Sequence, residues 1–200
     1  MKTTRSIVLV AAVVMAAGNM KAQNGYYDTH HEVAVTYGWA ANSQIIDIFE
    51  NLGGAMAGAT FKNEKFIGPM SAEYFYHVKK WLGVGGIFSF GKNKMDTYLS
   101  GDKEGVTKNT YVTLMPAVKF DWLRKKNFGM YSKVAIGATL RHEKFDSDTD
   151  ASKNRSDSNV HLNWQATFLG FEGGSPTLRG FMECGSGEQG ILLLGLRYKF

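Results

Sequence analysis

The last ten residues, Ile191-Leu192-Leu193-Leu194-Gly195-Leu196-Arg197-Tyr198-Lys199-Phe200, place Leu192, Leu194, Leu196, Tyr198 and Phe200 on one face of an extended chain. Gly195, Arg197 and Lys199 fall on the other. A helix would scatter both classes around its axis, so this period of two predicts a strand with one apolar and one polar face. Seven further segments pass the same test. Val33, Val35, Tyr37 and Trp39 alternate with Glu32, Ala34, Thr36 and Gly38; Met70 to Val78 and Leu82 to Phe90 form a hairpin around Lys79-Lys80. Val112 to Trp122 and Val134 to Leu140 form another around 124–127. Val160 to Phe168 and a weaker run from about Leu178 to Cys184 complete the set. Past the first 22 residues no apolar run has the length of about 20 residues that a spanning helix needs, so any membrane crossing must be made by strands.

Hydrocarbon offers no partner for a free strand edge, so eight spanning strands must close on themselves. The fold class expected is all-β, a closed antiparallel up-and-down transmembrane β-barrel of about eight strands over 23–200. Connections are expected at about 41–67, 79–80, 94–109, 123–127, 146–158 and 172–177, long and short in alternation, as external loops and periplasmic turns would be. The seventh, Gly185 to Gly190, is short where an external loop should be long. Both termini then lie on the periplasmic side. The inward residues Glu32, Glu73, Lys119, Asp121, Lys133, Arg141, Glu143, Arg179, Glu183 and Arg197 mix both signs and predict a paired charge network. Eight strands leave an interior only wide enough for side chains, so a plugged lumen and no wide water channel are expected. Pro116 lacks a ladder donor and predicts a bulge.

Lys2 and Arg5, the apolar run from Ile7 to Gly18 and the small residues Ala16, Ala17, Gly18 and Ala22 mark 1–22 as a secretory signal peptide, removed on export. The formal charge is +5, and without Lys2, Arg5 and Lys21 it falls to about +2, too small an excess to argue for a nucleic-acid partner. Aromatics make up 13% of the chain, with 23 Gly and 3 Pro, a balance that favours strands and tight turns. Cys184 has no partner for a disulfide.

Motifs for chemistry are weak. Gly185-Ser186-Gly187-Glu188-Gln189-Gly190 matches G-x-G-x-x-G, yet a strand follows where a dinucleotide site needs a helix N-terminus. Gly86 to Lys92 imitates a P-loop but has Asn93 in place of the Mg²⁺-binding hydroxyl. Asp146, Asp148, Asp150 and Asp157 have the spacing of a Ca²⁺ loop, with Ala151 where Gly is needed; a solvated external loop is expected. None of His30, His31, His77, His142 and His161 forms a His-x-Ser pattern. Ser43 to Gly53 reads as a short capped helix in the first external loop. No catalytic, metal or cofactor site is expected.

The terminal strand together with the signal peptide resembles the small Gram-negative outer-membrane barrels of the OmpX, OmpA transmembrane-domain and OmpW type. The resemblance implies an outer-membrane location, and a C-terminal signal at Leu196, Tyr198 and Phe200 read by the barrel assembly machinery. It also implies contact with outer-membrane lipid and lipopolysaccharide; a monomer is expected, and no soluble module after Phe200. Members of these families serve as structural or surface-interaction proteins, porin-like proteins or conduits for apolar molecules, and some small barrels modify lipid A. A structural or surface role without enzyme activity is the expectation, with solute passage and lipid A modification as alternatives.

Overall fold

The computed structural model describes residues 29–43, 59–99, 102–148, 152 and 154–200. The signal peptide, Asp150 and, beyond Asn42 and Ser43, the expected loop helix lie outside the described residues. Eight antiparallel strands follow one another around a ring: β1 (His31–Trp39), β2 (Ala59–Lys79), β3 (Leu82–Leu99), β4 (Asp102–Arg124), β5 (Phe128–Ser147), β6 (Arg155–Gly174), β7 (Leu178–Gly187) and β8 (Leu192–Lys199). β1 and β8 pair from Glu32↔Lys199 to Trp39↔Leu192, and His31 and Phe200 exchange both backbone hydrogen bonds at 2.9 Å. That pairing removes the two edges an open sheet would leave.

The alternation of the sequence becomes an inversion of the soluble pattern. Leu162 is 75% exposed and Leu114 65%, whereas Lys119, Lys133 and Arg197 are at 0%. A soluble barrel would bury the leucines and show the lysines to water. No helix among the described residues is long and apolar enough to cross a membrane; the strands themselves carry the apolar surface. Aromatic pairs mark the end with the short turns: His31 stacks on Phe200 at 5.3 Å, Trp81 on Phe120 at 6.4 Å, and Phe128 lies 6.5 Å from Phe171. Tyr37 and Trp39 meet edge-on at 5.0 Å towards the other end. Apolar staves between aromatic belts are the exterior of a transmembrane barrel.

The strands run further than alternation of apolar residues predicts. The connection expected at 94–109 is largely strand, with β3 and β4 paired to Leu99↔Asp102, and the one expected at 146–158 is shortened at both ends, β5 reaching Ser147 and β6 starting at Arg155. β2 likewise begins at Ala59, inside the expected connection 41–67. These extensions lie beyond lipid and need no greasy face, so polar ties replace the apolar signal. Thr97 and Thr107 hydroxyls meet at 2.9 Å, Lys103 lies 3.3 Å from Asp96 and 3.4 Å from Asp148, and Asp146 holds Lys108 at 2.9 Å and Lys144 at 2.8 Å. Hydrogen bonds from Lys144 and Lys108 keep the Asp146 carboxyl below its usual range. Two carboxylates of the Ca²⁺-like spacing are therefore engaged by lysines. The apolar exterior ends sharply across four strands: the row Phe90↔Val112↔Leu140↔Val160 is followed by Lys92↔Thr110↔His142↔Ser158.

Two local expectations are corrected. Pro116 causes no bulge: it sits opposite Gly86, and the β4–β5 register is the same at Leu114↔Ala138 and Ala117↔Ala135, so the ladder simply lacks pairing at Met115 and Pro116. A register shift occurs instead on β6, between Thr167 and Leu169. The seventh connection turns inward rather than outward, for reasons given below.

If this exterior faces hydrocarbon, Leu194→Arg on β8 is expected to destabilise the folded barrel by about 2–4 kcal/mol, while Ser156→Arg on the extension stays within about 0.5 kcal/mol. Urea unfolding in lipid vesicles checks both; equal small effects would point to an aqueous exterior.

Candidate functional site in the lumen

Among the described residues, five carboxylates (Glu32, Glu73, Asp121, Glu172, Glu183) and five cations (Lys119, Lys133, Arg179, Arg197, Lys199), each no more than 4% exposed, form an ion-paired network inside the barrel. A buried charge is tolerated only when paired and hydrogen-bonded. Each of these is. Lys119 Nζ donates to Glu32 Oε2 at 2.6 Å and lies 3.3 Å from Asp121 Oδ1. Lys133 Nζ donates to Glu73 Oε1 at 2.5 Å and lies 2.9 Å from Glu183 Oε2. Glu172 receives Arg179 Nη1 at 2.5 Å, Arg197 Nη1 at 2.7 Å and the Lys199 ammonium.

Arg197 is the hub. Its guanidinium lies within 3.7 Å of Glu32, Glu73, Glu172 and Glu183, on four different strands, and is packed against the rings of Tyr131 at 4.6 Å and Phe181 at 4.3 Å. Tyr131 in turn donates its hydroxyl to Glu183 at 2.6 Å. Part of the wall is apolar: Phe75, Ile87, Met115, Ala117 and Ala135 form a cluster on the inner faces of β2 to β5. A planar cation whose faces meet rings and whose edge meets carboxylates suits arginine better than lysine.

Eight of the ten sequence-predicted network residues come together here: Glu32, Glu73, Lys119, Asp121, Lys133, Arg179, Glu183 and Arg197. Arg141 and Glu143 do not. They pair with each other at 2.9 Å on the polar extension of β5, with side chains 12% and 44% exposed, because β5 outlasts the narrow part of the barrel. Sequence reasoning missed Glu172 and Lys199. Lys199 was legible, since it alternates with Tyr198 and Phe200. Glu172 was not: continued alternation from Gln165 and Thr167 turns it outward, and the shift at Thr167/Leu169 turns it in.

The turn between β7 and β8 was also missed. Glu188 and Gln189 are 2% and 0% exposed, folded into the barrel mouth. Glu188 accepts hydrogen bonds from Ser43 N–H at 3.2 Å, Ser43 Oγ at 2.6 Å, Asn163 Nδ2 at 2.8 Å and Thr113 Oγ1 at 3.3 Å; Gln189 Nε2 donates to Glu73 at 2.8 Å. The glycines that imitate a nucleotide motif serve this fold. Gly190 has φ of 112°, accessible to few other residues, and on β1 a Cβ at Gly38 would stand 1.8 Å from the Gln189 carbonyl oxygen.

Two chemical constellations deserve naming. Glu32, His77 and Asp121 bring three ligand-type atoms within 4.8 Å. Lys119 and Lys199 already occupy the carboxylates, and Arg197 Nε lies 3.5 Å from Glu32, so a dication would enter a region already supplied with positive charge. The trio fits a hydrogen-bonded end of the network, with His77 Nε2 2.7 Å from Asp121, better than a metal centre. Outside the barrel, His142 Nδ1 lies 2.8 Å from Ser158 Oγ across β5 and β6; the Asp157 carboxylate beside them accepts from the Ser158 backbone N–H at 2.8 Å, and among the described residues no carboxylate bonds the His142 ring.

No protein-family profile matches the sequence, and neither does any curated protein. Among solved structures, the chain is similar to Ail, the attachment invasion locus protein of Yersinia pestis, at 16% identity and a TM-score of 0.49, over 87% of this chain and all of that one. A second structure of Ail, in complex with the heparin analogue sucrose octasulfate, matches at 15% identity with the same score and coverage. The chain's own strand pairings make it a closed eight-stranded β-barrel, and its apolar exterior around a charged interior makes that barrel a transmembrane one.

Removing Glu73 leaves Lys133 with Glu183 alone, takes one of four carboxylates from Arg197 and unbalances a buried network, so Glu73→Ala is expected to cost about 3–5 kcal/mol. Glu143→Ala, in the half-exposed pair, is expected to cost less than about 1 kcal/mol. Denaturant unfolding of the refolded barrel distinguishes them; similar losses would mean that Glu73 is not in a dry network.

Proposed function

We propose that this chain is an outer-membrane barrel of a Gram-negative bacterium with a structural or surface-interaction role, its lumen closed to solutes. The observation that carries the reading is Arg197, fully buried inside the described barrel and joined to carboxylates from four strands. A solute would have to part this network and then pass Glu188 and Gln189. Such a core can brace a cylinder but offers no water-filled path. The short-turn end faces the periplasm with both termini, and the long strands β2 to β6 stand outside the cell, where their polar faces are available to lipopolysaccharide and other surface partners. Leu196, Tyr198 and Phe200 are exposed on β8 and at its end, where the barrel assembly machinery can read them.

A hydrolase acting on lipid A draws on the His142–Ser158 pair, just above the last apolar row. A porin-like or apolar-conduit role draws on no comparable observation.

Purified protein added to a planar bilayer is expected to give no stepwise currents while running as a faster, heat-modifiable form on an unboiled gel; reproducible channels would overturn the closed lumen. Lipid A from cells expressing the wild type and the His142→Asn variant is expected to have the same acyl pattern by mass spectrometry, and a difference would favour the hydrolase.

A further inference from the structure

Charge is segregated at the short-turn end. Among the described residues, its carboxylate side chains, Glu32, Asp121 and Glu172, are turned into the lumen at 1%, 4% and 2% exposure. Four lysines of the neighbouring turns, Lys79, Lys80, Lys125 and Lys126, are exposed and make no ion pair with any described residue.

The turns that carry them are fixed from within. Arg124 Nη1 donates to the Lys80 carbonyl at 3.2 Å and Nη2 to that of Thr29 at 2.6 Å, while Arg179 Nη2 donates to the carbonyls of Lys125 and Lys126 at 2.7 and 2.9 Å. The Trp81 carbonyl accepts a hydrogen bond from Asp121 N–H on β4 at 2.9 Å, and the Trp81 ring stacks on Phe120. Buried arginines thus hold the turn backbones, and the lysine side chains are left to point outward. Lys79 Nζ lies 5.8 Å from the Trp81 ring, which puts a cation beside an interfacial aromatic.

We infer that Lys79, Lys80, Lys125 and Lys126 form a binding surface for the phosphate of an anionic phospholipid in the leaflet next to the short turns. The inference rests on the membrane orientation proposed above. Aromatic side chains set the depth of the headgroups, and lysines one step further out meet their phosphates without leaving the rim. Charge complementarity and this depth favour a lipid; carboxylates of peptidoglycan are the competing partner.

The test uses the full mature barrel, refolded and loaded with equal amounts of phosphatidylglycerol and phosphatidylethanolamine, with retained lipids counted by native mass spectrometry. The wild type is expected to hold phosphatidylglycerol with a preference on the order of tenfold at low salt, shrinking at 1 M salt. The variant K79Q/K80Q/K125Q/K126Q should lose that preference and keep its heat-modifiable migration, whereas K92Q/K94Q, at the other end, should retain it. No preference in the wild type, a preference unmoved by the four changes, or one that follows Lys92 and Lys94 overturns the inference. Cosedimentation with purified sacculi through the four lysines, without lipid preference, does so in favour of peptidoglycan. A chain that fails to insert at all refutes the membrane reading itself, a result separable from an inserted barrel without lipid preference.

Discussion

In hydrocarbon a backbone N–H or C=O without a partner has no water to turn to, and every strand of a spanning sheet must be bonded on both sides. The β1–β8 ladder meets that requirement, and the hydrogen bonds between His31 and Phe200 complete it at the chain's last residue. Once the sheet is a cylinder, lipid serves as the apolar phase for Leu162, Leu114 and their neighbours. The interior is then released from the duty of being greasy. It must still be filled, because eight strands enclose room for side chains and little else.

Filling that space with charge is possible only if signs balance locally, since each unpaired ion in a dry interior costs several kcal/mol. The arrangement around Arg197 answers this with carboxylates from β1, β2, β6 and β7 around one guanidinium, with Tyr131 and Phe181 covering its faces. Each charge is shared by several strands. A shift of one strand by a single residue would turn its lumenal charges into lipid, so the network also selects register. Beside the network, Phe75, Ile87, Met115, Ala117 and Ala135 form an apolar cluster that asks for no hydrogen bonds.

The two ends obey different rules. At the short turns, buried Arg124 and Arg179 take up backbone carbonyls and shape the rim. At the opposite end, β2 to β6 continue past the lipid as a polar wall while β7, β8 and β1 stop early, and Glu188 reaches inward to Ser43 across the lower side. A carboxylate answered only by neutral donors marks this mouth off from the ionic lumen below.

Period-two alternation needs only neighbours in the chain, and so the number of strands, the sides of Glu32, Glu73, Lys119, Asp121, Lys133, Arg179, Glu183 and Arg197, and the short turns after β2, β4 and β6 were all legible. The polar extensions of β3 to β6 were not, because beyond lipid a strand is held by cross-strand ties such as Thr97–Thr107 and not by a greasy face. Arg141 and Glu143, on the inner face of such an extension, pair with each other apart from the central network. Glu172 depended on an irregularity of β6 near Phe168 that shifts its register against both β5 and β7. The inward fold of Glu188 and Gln189 depended on space that Gly38 leaves on another strand. Alternation is local and is written in the residues; depth, bulges and the partners of a buried charge are properties of the closed ring, and they exist only once β8 has found β1.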